Sequence, residues 1–228
     1  DAVIDRRRTL LAMGGIGTGL LMVLVMSGLF AGFARQETAY VDQLDADVIV
    51  SQQGVRTMQM SLSALPEGAQ AAAGAAPGVA WVEPLRQLTS TIGADDHTLV
   101  SYVFGVAPDG RAAPASLEEG RLPTDGEVVL DRGAASQLGL RTGDEVEVFG
   151  APLRIVGLSR GFTSLANTAT FITASDFERL SGPGTNYLLI GAHPGVDPEA
   201  LAASIAEAAP GTTAQSRARF TAEEAAFL

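Results

Sequence analysis

The chain has 228 residues, 26 acidic side chains against 15 basic ones, a formal net charge of −11 and no cysteine. That balance excludes a nucleic-acid-binding face, which needs clustered positive charge, and the absence of cysteine excludes disulfides, thiolate metal sites and cysteine nucleophiles. Every basic residue is arginine, so the chain cannot carry a Walker-type phosphate loop, which ends in Gly-Lys-Ser/Thr.

From Thr9 to Ala34 there is no charged residue, and Leu20 to Met26 is uniformly apolar. A hydrocarbon core is crossed by about 20 such residues, so the composition predicts a transmembrane helix over roughly Leu10 to Phe33. Arg6, Arg7 and Arg8 precede it and only Arg35 follows closely. The positive-inside rule then places the N-terminus in the cytoplasm and the acidic remainder outside the membrane. Arg7-Arg8-Thr9-Leu10-Leu11 also fits a twin-arginine export motif loosely, with a small-x-small site at Gly32-Phe33-Ala34. The apolar run exceeds the 7–15 residues of a signal peptide's core, which favours an uncleaved anchor. Gly15 and Gly19, and again Gly28 and Gly32, stand four apart, a spacing that lets a second helix approach closely. Asp1 at the start and the abrupt finish at Ala225-Ala226-Phe227-Leu228 suggest a segment of a longer protein. The expected division is 1–35, cytoplasmic N-terminus and membrane helix, and 36–228, an extracytoplasmic domain.

Residues 36–44 are polar but helix-compatible, a stalk continuing the membrane helix. Val48-Ile49-Val50 reads as a buried strand, and residues 61–78 as a short helix between loops. Trp81 to Ile92 and Leu99 to Val106 form two strand-like runs around a turn at Gly93 to His97. Glu127 to Leu130 is a strand, followed by a helix capped by Asp131 and closed by Gly139. Glu145 to Phe149 alternates as a strand and pairs with Leu153 to Leu158 in a hairpin. Thr168 to Ile172 precedes a helix headed by Thr173, Asn186 to Ile190 is another strand, and Asp197-Pro198 opens a helix stopped by Pro210. Thr212 to Gln215 is a last strand before a helix from Thr221. Strands and helices mix without a strict βαβ period, so the expected class is α+β, with length for one large outer domain or two small subdomains.

Chemistry is thinly represented. His97 and His193 fall in a turn and a loop, away from any Gly-x-Ser-x-Gly pattern. Asp95-Asp96-His97 is a solvated hairpin tip more readily than a metal site, since adjacent turn residues rarely converge on one ion. Asp42, Asp45 and Asp47 lack the glycine and distal glutamate of a calcium loop. The pairs Glu118-Glu119 and Glu223-Glu224 are expected on helices facing solvent, and Trp81 as a core anchor. No catalytic, cofactor or metal residue is expected in this chain.

The order of elements is more informative. An arginine-flanked membrane helix, the junction Leu44-Asp45-Ala46-Asp47-Val48-Ile49-Val50-Ser51, the step Pro77-Gly78-Val79, and Glu119-Gly120-Arg121-Leu122-Pro123 before a strand resemble the MacB/FtsX type of ABC transporter permease, in its first membrane helix and MacB-like periplasmic core domain. The block from Glu127 to Gly161, with its Leu-Gly helix end, Gly-Asp turn and Ile155-to-Leu158 closing arm, is similar too. The resemblance implies a multi-pass permease of the cell membrane, working as a homodimer or paired with a second permease. ATP would be bound and hydrolysed on a partner subunit or domain and coupled to export or to movement outside the membrane. The alternative expectation is a membrane-anchored binding or regulatory module, such as a regulator of a cell-wall hydrolase.

Overall fold

In the computed structural model, residues 2–58, 62–94, 97–107, 109–162 and 168–226 are described. In the first helix, α1 (Ala2–Gln43), side chains are described at 13–29, at 32 and from 40 onward. The helix runs unbroken into what was expected as a stalk. Met13, Ile16, Leu20 to Met26 and Leu29 are all exposed along it. Among the described residues no helix is long and apolar enough to cross a membrane.

After α1 come β1 (Val48–Gln52), α2 (Ala69–Gly74), β2 (Val79–Ala94), β3 (His97–Val106), β4 (Leu117–Gly120) and β5 (Glu127–Asp131). They are followed by α3 (Arg132–Leu138), β6 (Glu145–Val148), β7 (Ala151–Ser159), β8 (Thr168–Thr173) and α4 (Ala174–Ser181). The chain then gives β9 (Tyr187–Ala192), α5 (Pro198–Ala208), β10 (Thr212–Ser216) and α6 (Arg217–Ala226). The mixed α+β class holds.

Strand β2 organises the molecule. Its first half, Val79 to Leu85, pairs antiparallel with β9, which continues through β1 to β10. These four strands form a layer. Its second half, Arg86 to Ala94, pairs with β3, and the path goes on through β8, β5 and β7. Strand β6 pairs with both β7 and β2, through Val146↔Leu153 and Ile92↔Val148, so six strands close on themselves as a ring. Closure leaves β4, hydrogen-bonded to β7 alone, as the strand outside the ring. The ring encloses Ile92, Val103, Val128, Leu130, Val146, Val148, Leu153, Ile155 and Ile172. One face of the layer packs Val48, Val50, Leu188 and Ile190 against Leu201 and Ile205 of α5.

Local chemistry explains most element ends. Asp131, Thr173 and Asp197 each accept a hydrogen bond from a first-turn N–H of the helix they precede, worth about 1 kcal/mol apiece. Gly139 closes α3 in the left-handed region at φ 71°.

The short helix expected between loops within 61–78 is Ala69–Gly74, bounded by Pro66 and Gly68 before it and Pro77-Gly78 after it. Several other expectations are corrected. Glu118 and Glu119 lie on a strand, not a helix. Strand β6 stops at Val148, since Phe149 (φ 52°) and Gly150 (φ 75°) form the turn with positive φ at both central residues that a two-residue hairpin requires. The Phe149 ring is held edge-on to Phe177, with centroids 5.5 Å apart. Helix α6 begins at Arg217, four residues earlier than expected.

Candidate functional site

The place where α1 enters the outer domain concentrates the most unusual side-chain chemistry. Tyr40, Val41 and Leu44 stand at helical spacing and are all buried. On the domain side, β3 and β8 are parallel with Phe104 opposite Phe171, so both rings point to the same face. Tyr40 stacks on Phe104 at 4.0 Å between centroids, with Phe171 at 6.0 Å and Phe162 edge-on at 6.2 Å. Aromatic pairs of this kind add about 0.5–1.5 kcal/mol beyond their buried area. The Tyr40 hydroxyl donates to the Ala112 carbonyl at 3.1 Å. Burial, and secondarily the charge of Glu83, push this phenol well above its ordinary pKa, so it stays protonated and remains a donor.

The segment after β3 straps this joint from outside. The Glu83 carboxylate accepts the N–H of Arg111 at 2.9 Å and that of Ala112 at 3.3 Å. The Arg111 guanidinium then lies over the Trp81 ring, 4.2 Å from its centroid, and pairs with Asp45 just past α1. Trp81 in turn lies across β9 where only a glycine leaves space, because a Cβ on Gly191 would collide with the indole. Gln43, the last residue of α1, accepts from Ala115 N–H at 3.1 Å.

Helix α6 grips α1 from the other side. Arg217 donates to the Asp42 carbonyl at 3.0 Å, and the Thr221 hydroxyl to the Asp42 carboxylate at 3.2 Å. Phe220 is fully buried and meets Tyr187 edge-on at 6.5 Å. Glu224, expected to face solvent, is instead buried and accepts the Met58 N–H. One helical turn beyond Phe220, it shares that residue's inward face.

The aspartates weighed as a calcium loop are each engaged elsewhere: Asp42 and Asp45 as above, and Asp47 accepting Ala192 N–H at 2.8 Å. No cluster of potential metal ligands occurs among the described residues. His97 and His193 are exposed; Asp95 and Asp96 lie outside the described residues. Gly15, Gly19, Gly28 and Gly32 lie on α1 with nothing within 4 Å of where a Cβ would stand. Corresponding members of the two pairs are 13 positions apart, which at about 100° per residue turns the pairs roughly 140° from one another. Arg6, Arg7 and Arg8 belong to α1, their side chains outside the described residues.

The joint was not legible in the sequence. The signal available was Tyr40-Val41 with Leu44, an apolar stripe inside an otherwise polar segment. The arrangement offers no nucleophile, base or ligand set; it fixes a helix to a domain.

Comparison with known proteins identifies the family and the fold. Residues 9–208 match the model of the MacB-like periplasmic core domain family. An uncharacterized ABC transporter permease of Mycobacterium tuberculosis is 32% identical over 181 residues, covering 78% of this chain and 51% of the relative. Another, from Mycobacterium bovis, is 28% identical over 185 residues, 81% of this chain and 52% of the relative. The chain thus spans about half the length of the curated relatives it matches. In fold it is similar to the extracellular domain of the noncanonic ABC-type transporter YknZ from Gram-positive bacteria, with TM-score 0.56 and 11% identity over 75% of this chain and all of that one. It is likewise similar to the periplasmic region of MacB from Actinobacillus actinomycetemcomitans, with TM-score 0.56 and 13% identity over 80% of this chain and 94% of that one.

Proposed function

Because this chain belongs to the MacB-like periplasmic core domain family, among ABC transporter permeases of the MacB/FtsX type, we propose that it is the first transmembrane helix and the extracytoplasmic domain of such a permease, turning ATP hydrolysis on a partner into movement outside the cell membrane. The permease would act as a pair, with its N-terminus in the cytoplasm. Catalysis and nucleotide binding lie elsewhere, in keeping with a chain that has no lysine for a phosphate loop. The exposed apolar surface of α1, from Met13 to Leu29, is what a bilayer would cover, and the run continues in sequence to Phe33.

The observation that carries the proposal is the joint. A tether would leave its last turns in water. Here Tyr40, Val41 and Leu44 are part of the domain core, so a tilt or shift of α1 must carry the domain with it. In the full permease with its ATP-binding partner, Tyr40→Ala should leave ATP hydrolysis running while the extracytoplasmic output falls. Retention of full output by a folded Tyr40→Ala permease would refute the coupling role.

A further inference from the structure

Along the strand path the chain passes from layer to ring between Leu85 and Arg86 within β2, and back from Ser181 to Tyr187 between α4 and β9. The strands between those crossings all belong to the ring or its attached β4, and the strap around Arg111 reaches back to Glu83. The two crossings lie side by side, and one residue joins them. Asn186, expected in a strand, stands just before β9. Its N–H donates to the Leu85 carbonyl at 3.1 Å, and its side-chain carbonyl accepts Gln87 N–H at 2.8 Å. It thereby supplies the ladder contacts that β2 loses as it leaves one sheet partner for the other. The remaining amide group donates to the Ser63 carbonyl at 2.6 Å, and Ser63 returns its hydroxyl to the Asn186 carbonyl.

On one side of this knot, layer and ring share a continuous apolar core with the end of α1. On the other they are separated by an open groove of about 190 Å³, with Leu88, Phe177 and Ser181 on the ring side and Ala64, Leu65 and Thr185 on the layer side. Gly182-Pro183-Gly184 also line the groove, and these glycines have φ 94° and 149°, backbone freedom suited to absorbing a rotation. Packing on one side, space on the other and a pin between them is the geometry of a hinge.

We propose that Asn186 is the positioning residue of a hinge between ring and layer, setting their angle through Leu85, Gln87 and Ser63, and that the groove closes and opens as the ring swings. The hinge rests on the reading of the chain as a transmitting domain, and says where the transmitted movement is expressed.

The test uses the full permease with its ATP-binding partner, spin-labelled at Gln70→Cys on α2 and Glu145→Cys on β6. Both sites are exposed, and this chain has no cysteine of its own. Asn186→Asp keeps the acceptor for Gln87 but turns an oxygen toward the Ser63 carbonyl; Ser63→Ala removes the returning hydroxyl. Each should broaden the nucleotide-free distance distribution, with Tm lowered by about 2–8 °C. Asp131→Ala, which removes the α3 cap and the acceptor of the Phe162 N–H, neither of them at the two crossings, should lower Tm similarly and leave the distribution narrow. An unchanged distribution in folded Asn186→Asp, or equal broadening by Asp131→Ala, would overturn the hinge. If nucleotide leaves the wild-type distance unchanged while Asn186→Asp still broadens it, the hinge stands and ATP-driven movement falls.

Discussion

Tyr40 joins α1 to the domain core through both a ring stack and a hydrogen bond, and substitution separates the two. Tyr40→Phe keeps the stack on Phe104 and Phe171 and removes one hydrogen bond to Ala112. That should cost about 0.5–1.5 kcal/mol, more if the freed carbonyl finds no other donor. Tyr40→Ala also deletes a ring packed among three phenylalanines, and buried aromatic truncations cost about 3–5 kcal/mol. At about 2–4 °C per kcal/mol for a domain of this size, the alanine variant should melt roughly 6–20 °C lower than wild type. Trp81 is the single tryptophan of the chain and sits beside the joint, so its fluorescence follows the transition in detergent or nanodiscs. The alanine loss must clearly exceed the phenylalanine loss. Equal, small shifts for both would mean that the end of α1 rests on the domain without being part of its core.

Other perturbations probe neighbouring contacts. Arg111→Met removes the cation over Trp81 and the pair with Asp45, and should cost about 0.5–1.5 kcal/mol with a change in Trp81 emission; an unaltered spectrum would contradict the stacking. Gly191→Ala drives a Cβ into the Trp81 indole and should destabilise by about 1–3 kcal/mol, an effect that Gly191→Ala loses in a Trp81→Ala background. The Glu127 carboxyl is held down to about 2 by its hydrogen bonds from Arg121 and Thr124. Its folded pKa lies below its unfolded one, so its stabilising contribution is present above about pH 4.5 and is lost as pH falls toward 2. Glu127→Gln should flatten that part of the acid-unfolding profile, read by circular dichroism.

What was legible in the sequence were features written over a few residues. Asp131, Thr173 and Asp197 announced their helices because a cap is a local hydrogen bond. The alternation from Glu145 to Val148 announced a strand because side chains alternate across a sheet. Ring closure was not legible, since it depends on Ile92 meeting Val148 across more than fifty residues, and no local period encodes which edges meet. Nor does alternation say that Phe149 leaves the strand for a positive φ. Glu224 misled for a related reason: a charged residue beside another suggests solvent, and only the position of Phe220 against Tyr187 turns that face of α6 inward. The joint itself looked like a polar stalk because its apolar partners, Phe104, Phe162 and Phe171, come from far along the chain.

The unbroken course of α1 has a mechanical consequence. Forty-two residues of continuous α-helix extend about 63 Å, roughly twice the thickness of a hydrocarbon core. A rod of that length, clamped at its outer end by aromatic packing, magnifies small angles. A swing of about 5° displaces its far tip sideways by about 5 Å over that length. An angular change too slight to disturb the packing around Tyr40 would therefore correspond, at the arginine-bearing end, to a sideways displacement of about half a helix diameter.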